Sequence, residues 1–137
     1  MKTPIHAMRD LLAEDERFKL EAYQFIREAL QYAHENITEP AEVEPDTGQP
    51  ATRHVTGQQL CEACRLYAID QYGYLAKMVL ANWNIHSTSD FGELVYNLIR
   101  IEQMRKSDTD RREDFNDVYD FEDAFEPKFQ LSSPDEE

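Results

Sequence analysis

The stretch Ser87-Thr88-Ser89-Asp90-Phe91-Gly92-Glu93-Leu94-Val95-Tyr96-Asn97-Leu98-Ile99-Arg100-Ile101-Glu102-Gln103-Met104 decides the fold. Phe91, Leu94, Val95, Leu98, Ile101 and Met104 recur at three- and four-residue intervals, which gathers them on one side of an α-helix. Asp90, Glu93, Asn97, Arg100 and Glu102 fall on the polar side. The hydroxyls of Ser87, Thr88 and Ser89 stand where a first turn needs caps, and Asp90 complements the positive end of the helix dipole. Such a helix must bury its apolar stripe against other elements.

Working towards the N-terminus, those elements are further helices. Thr56-Gly57-Gln58-Gln59 has the spacing of a capping box, with Thr56 as N-cap and Gln59 reaching back. Leu60, Cys61, Cys64, Tyr67, Ala68 and Tyr72 then share a face, and Gly73 is placed to end it. Leu75, Ala76, Val79, Leu80 and Trp83 form the next stripe. Further upstream, Phe18, Ala22, Phe25, Ile26, Ala29 and Ala33 predict a helix to about Glu35. Ile5, Met8, Leu11 and Leu12 predict another before it. Residues 36–52 carry three prolines, a glycine and four carboxylates, with no apolar period, and read as a loop.

The expected fold is therefore mainly α, a compact bundle of about five helices in one domain. Its parts are N-terminal helices over 1–35, an acidic loop over 36–52, a three-helix unit over 53–106, an acidic-aromatic segment over 107–131 and a tail over 132–137. A winged-helix-like arrangement is the alternative. It would place a small β-hairpin across residues 104–121 and a third strand at Arg53-His54-Val55.

The chain has 137 residues, enough to close a core without disulfides, and carries a net charge of −14. The charge is uneven: residues 108–137 hold twelve carboxylates against Arg111, Arg112 and Lys128, a net of −9. This field repels phosphate backbones and favours basic partners. The helix over Asp90–Met104 offers one arginine among three carboxylates, a poor reader of phosphate. The basic cluster Arg105, Lys106, Arg111 and Arg112 lies beside carboxylates that offset it. Nucleic acid is thus not the expected partner. No apolar run approaches the length of a membrane span and no secretory h-region opens the chain, so the expected location is the cytoplasm, away from a membrane.

Catalytic and metal motifs are sparse. Cys61-Glu62-Ala63-Cys64 places two thiols on one face of a helix. With His54 and His86 they are the candidate metal ligands, since zinc accepts this donor set, and a redox pair is the other chemistry open to them. Both lie on an apolar stripe, where free cysteine usually serves as a small core residue. Asp90-Phe91-Gly92 repeats the magnesium tripeptide of kinases, but the other kinase motifs are absent. Gly92 within a helix instead points to close packing. The carboxylates from Asp108 to Asp120 do not fit an EF-hand, because no glycine stands sixth from Asp108 or Asp114. The serines near His86 read as caps rather than nucleophiles. No catalytic residue and no cofactor is assigned.

The segment after residue 113 is the most distinctive. Phe115, Tyr119, Phe121, Phe125 and Phe129 are set among carboxylates at intervals that suit neither one strand nor one helix. Two uses are open to it. The rings cover the helical core, or Phe115, Tyr119, Phe121 and Phe125, with Asp114, Asp120 and Asp123, form a docking strip for a partner. The expected function is a non-enzymatic protein-interaction module using this segment, its partner a protein with a basic surface or a second copy. The alternatives are a winged-helix-like nucleic-acid-associated regulator and a small metal or thiol protein built on Cys61 and Cys64.

His54-Val55-Thr56-Gly57-Gln58-Gln59-Leu60, Asp90 through Leu98, Arg112-Glu113-Asp114-Phe115 and Tyr119-Asp120-Phe121 together resemble the hallmark segments of a bacterial family found largely in planctomycetes and verrucomicrobia. The helix from Phe18 to Ala33 shares in the resemblance. That family carries no assigned activity, substrate or cofactor, and its recurrent residues imply a structural pattern. It usually has ordinary apolar residues at the positions of Cys61 and Cys64, so cysteine chemistry here would be a departure from it.

Overall fold

The computed structural model describes residues 3–37, 55–105 and 110–125. Six helices follow in order: α1 (Pro4–Glu14), α2 (Leu20–Asn36), α3 (Gly57–Tyr72), α4 (Ala76–Asn82), α5 (Thr88–Arg100) and the single turn α6 (Phe121–Ala124), with 3-10 turns at Gly73–Leu75 and Arg112–Phe115. The mainly α reading holds. Among the described residues there is no strand. Where a hairpin was an alternative, residues 112–115 wind into a 3-10 turn and residues 121–124 into a helical turn. His54 and Arg53, the expected third strand, lie outside the described residues, as do most of the 36–52 loop, Phe129 and the 132–137 tail.

Helix boundaries follow local chemistry. Thr56 Oγ1 accepts the Gln59 N–H while Gln59 Oε1 accepts the Thr56 N–H, both at 3.0 Å, completing the capping box. Gly73 ends α3 at φ 56°, a conformation that suits a residue without Cβ. Two other helices end without glycine. After α4, Asn84 takes φ 67°, its N–H bonds the Ala81 carbonyl, and the Ile85 N–H reaches back to Leu80 at 2.9 Å. After α5, Glu102 takes φ 63°, with Glu102 N–H on Ile99 and Gln103 N–H on Leu98. Both are Schellman closures that satisfy the last carbonyls. The α5 closure stops that helix at Arg100, short of the expected Met104.

The core gathers the predicted stripes. Ala22, Phe25, Ile26, Ala29 and Ala33 of α2 are buried with Leu60, Cys61, Cys64 and Ala68 of α3. Phe91, Leu94, Val95 and Leu98 of α5 complete it. Rings form a continuous path through this core: Phe25 lies 6.3 Å from Phe91, Phe91 5.6 Å from Phe121, and Phe121 4.9 Å from Phe125. The C-terminal segment is thus joined to the helices through the interior.

Asn97 departs from its expected exposure. It is 8% exposed, and its Nδ2 donates to Asp15 Oδ2 at 2.9 Å and to the Tyr23 hydroxyl at 3.1 Å. A buried amide needs such partners, and here it ties α5 to the turn between α1 and α2.

Candidate functional site

Phe115, Phe121 and Phe125 are buried, and Tyr119 is half-buried. The cradle for Phe115 comes from two helices that carry glycine where they approach it. A Cβ built on Gly92 would stand 2.8 Å from Phe115 Cβ and 2.9 Å from its Cγ. One built on Gly57 would stand 2.8 Å from Asp114 Cβ and 3.2 Å from Phe115 Cε2. The expectation that Gly92 marks close packing is met, and its partner is this ring.

Polar contacts fasten the rest of the segment. Tyr119 donates its hydroxyl to the Cys61 carbonyl at 2.6 Å, and burial holds that phenol far above its ordinary range, so it stays a donor. The Val118 N–H donates to Thr88 Oγ1 at 3.2 Å, and Ser89 Oγ donates to Asn116 Oδ1 at 2.9 Å. Ser87, Thr88 and Ser89 were expected to cap α5 with their hydroxyls. Ser87 holds the N-cap position without a side-chain bond, and the other two serve the C-terminal segment instead. The open end of α5 is closed from within by Asp90, whose carboxylate accepts the His86 N–H at 2.8 Å.

A chain of charges runs along one side of this seam. Arg17 binds Asp15 through Nε at 2.9 Å and Nη2 at 2.6 Å, a two-point pairing of fixed geometry. Arg17 also reaches Glu93 at 3.2 Å, and Glu93 faces Arg112 at 3.7 Å. Arg112 in turn lies over the Tyr96 ring, 5.0 Å from its centroid. The Arg17 guanidinium holds the Asp15 carboxyl well below the usual carboxylate range. Of the segment's acidic residues, Asp120 and Asp123 are exposed and Asp114 is half-buried. The rings named for partner binding are therefore used by the protein's own core, and of the residues named for that role only Asp120 and Asp123 are exposed.

The cysteines sit in the same core. Cys61 and Cys64 are both buried, and burial pushes the Cys61 thiol up to about 12 and Cys64 well above its ordinary value. A thiol so placed is neither a ready nucleophile nor a ready ligand at neutral pH, since both roles need the thiolate. His86 is exposed, with Nε2 3.1 Å from Asn84 Oδ1. His54 lies outside the described residues. Among the described residues, no three His, Cys, Asp or Glu side chains are grouped as a metal would require.

A surface that the sequence reading did not single out lies between α1 and α2. The stripe of α1 is clear in the sequence, but only Leu11 is buried in full. Met8 and Leu12 are half-buried, and Ile5 is 78% exposed. Between α1 and α2 these residues and Leu20, itself 41% exposed, line a groove of about 550 Å³. Arg9 and Arg27 also line it, and no carboxylate does among the described residues. A stripe of period 3.6 signals an apolar face. It does not say whether that face finds a cover within the chain.

No family model, no curated protein and no solved structure matches this chain. No helix among the described residues is long and apolar enough to cross a membrane.

Proposed function

We propose that this chain is a non-enzymatic protein-interaction module. The observation that carries this reading is the apolar face of α1, which the described residues leave open in a groove against α2. Apolar side chains gathered in one exposed trough offer a partner surface to bury. The C-terminal acidic-aromatic segment enters the reading in a divided role. Its rings anchor it to the helices, while Asp120, Asp123 and the neighbouring exposed Glu122 and Asp117 give the molecule an acidic side that steers a basic surface on the partner.

The test is affinity capture from native lysate with the full chain and with an Ile5→Asp/Leu20→Asp variant. Both positions are exposed, so the variant keeps the core. The reading expects a reproducible partner that the variant fails to capture. An identical set of captured proteins for both chains, or none for either, would refute it.

A further inference from the structure

The groove between α1 and α2 is chemically unlike the rest of this protein. The chain holds 28 carboxylates against 14 lysines and arginines, yet among the described residues the charged ones lining this groove are Arg9 and Arg27. Four other arginines are used internally: Arg17 pairs with Asp15 and Glu93, Arg65 with Glu62, Arg100 with Glu14 and Arg112 with Glu93. Among the described residues, neither Arg9 nor Arg27 makes an ion pair. Two guanidiniums therefore stand beside Ile5, Met8, Leu12 and Leu20 with their planar donor forks uncommitted.

We infer that this groove receives an amphipathic helical segment of a partner protein, one that carries carboxylates beside its apolar residues. The inference rests on the interaction reading above and adds the chemistry of the occupant. An open trough beside a helix suits a second helix that lays its apolar face into it, anchored at i, i+3 or i+4 and i+7. The 11 residues of α1 span about 16 Å, room for an occupant of roughly three turns. The two arginines then select carboxylates on the flanks, because guanidinium pairs with carboxylate in a two-point geometry. A second copy of the chain is a less suitable occupant, since each copy brings a net charge of −14. Screening limits the wider acidic field to about 8 Å at physiological salt, so the local arginines govern an occupant once it is seated.

The experiment is a titration of the isotope-labelled full chain with a synthetic peptide, followed by amide chemical shifts. The probe has leucine at i, i+3, i+4 and i+7 and glutamates on the flanks. A matched peptide carries lysine in place of each glutamate, and dodecanoate serves as a small amphiphilic carboxylate. Shifts confined to residues 5–12 and 20–27, tighter binding of the glutamate peptide, and binding weakened about tenfold in Arg9→Glu/Arg27→Glu are the expected results. Equal or tighter binding of the lysine peptide overturns the charge assignment while the interaction reading stands. Dodecanoate binding at these amides with no peptide binding overturns it in favour of a small ligand. No shift at these amides with any probe overturns the inference outright, and the lysate capture judges the broader reading separately.

Discussion

Replacing Gly92 by alanine puts the packing of the C-terminal segment to a quantitative test. In an open helix this change stabilises by about 0.5–1 kcal/mol, because glycine loses more backbone freedom on folding. Here the new methyl would meet Phe115 Cβ at 2.8 Å, Cγ at 2.9 Å and Cδ2 at 3.1 Å. Carbon atoms rest at about 3.5–4.0 Å, so the overlap approaches 1 Å. Phe115 has little room to retreat. Its far edge faces Gly57, and its ring meets Tyr96 edge-on with centroids 6.4 Å apart. Overpacking of this kind costs about 1–3 kcal/mol, which outweighs the helix gain. The net expectation is a loss of about 1–2 kcal/mol. Urea unfolding followed by Trp83 fluorescence reads it as a lower midpoint at unchanged slope. The decisive arm is the double variant with Phe115→Ala. That change costs about 3 kcal/mol alone, but removes the ring that pins the turn. Alanine at 115 keeps the Cβ that lies 2.8 Å from the new methyl but frees the turn to shift, so Gly92→Ala should then cost at least about 1 kcal/mol less than it does alone. A stabilised single variant, or strict additivity, would refute the seating of Phe115 on Gly92.

Other expectations follow from the same geometry. Asp15 has its carboxyl held below its ordinary value of 3.8 by Arg17, so its contribution is complete above that value and is lost as the pH falls below it. Acid titration of stability should show wild type losing about 1–2 kcal/mol more than Asp15→Asn between neutral pH and pH ~2. The thiols of Cys61 and Cys64 should resist an aromatic disulfide reagent at pH 8 until denaturant is added, because both are buried and protonated; rapid labelling of the folded chain would contradict their place in the core. The buried Tyr96 Oη has no hydrogen-bond partner among the described residues, so Tyr96→Phe should leave stability unchanged or raise it by up to ~1 kcal/mol. A loss above ~1 kcal/mol would mean that the hydroxyl is bonded in solution.

Much of this architecture can be read in the sequence, for reasons that differ by element. The stripes of α2, α3 and α5 are legible because each is buried along its length, so burial and period coincide. The Thr56–Gln59 box is legible because both partners lie within four residues and nothing distant competes for them. The hydroxyls of Thr88 and Ser89 were misread as caps for the opposite reason. Thr88 is 1% exposed beneath the C-terminal segment, and a long-range donor takes it. Asn97 has a polar letter on the side of the helix that also carries Glu93 and Arg100, and only its distant partners Asp15 and Tyr23 explain its burial. The ring spacing after residue 113 has no single period because a 3-10 turn, a left-handed Asp117 at φ 53° and one turn of helix aim successive rings. The candidate groove was hidden for a further reason. The apolar positions of α1 are evident, but their exposure among the described residues is a tertiary fact.

The central claim is that the acidic-aromatic segment is part of the folded core and that partner contact falls to the α1–α2 groove. Native-state hydrogen exchange at the Val118 amide tests its first half most directly. That N–H donates to Thr88 Oγ1, beneath the segment itself, so it exchanges only when the segment lifts. Exchange that requires global unfolding, with the same urea dependence as amides in the middle of α5, is the predicted result. Rapid exchange that is insensitive to low urea would mean that the segment opens on its own, and that its rings are offered to a partner after all.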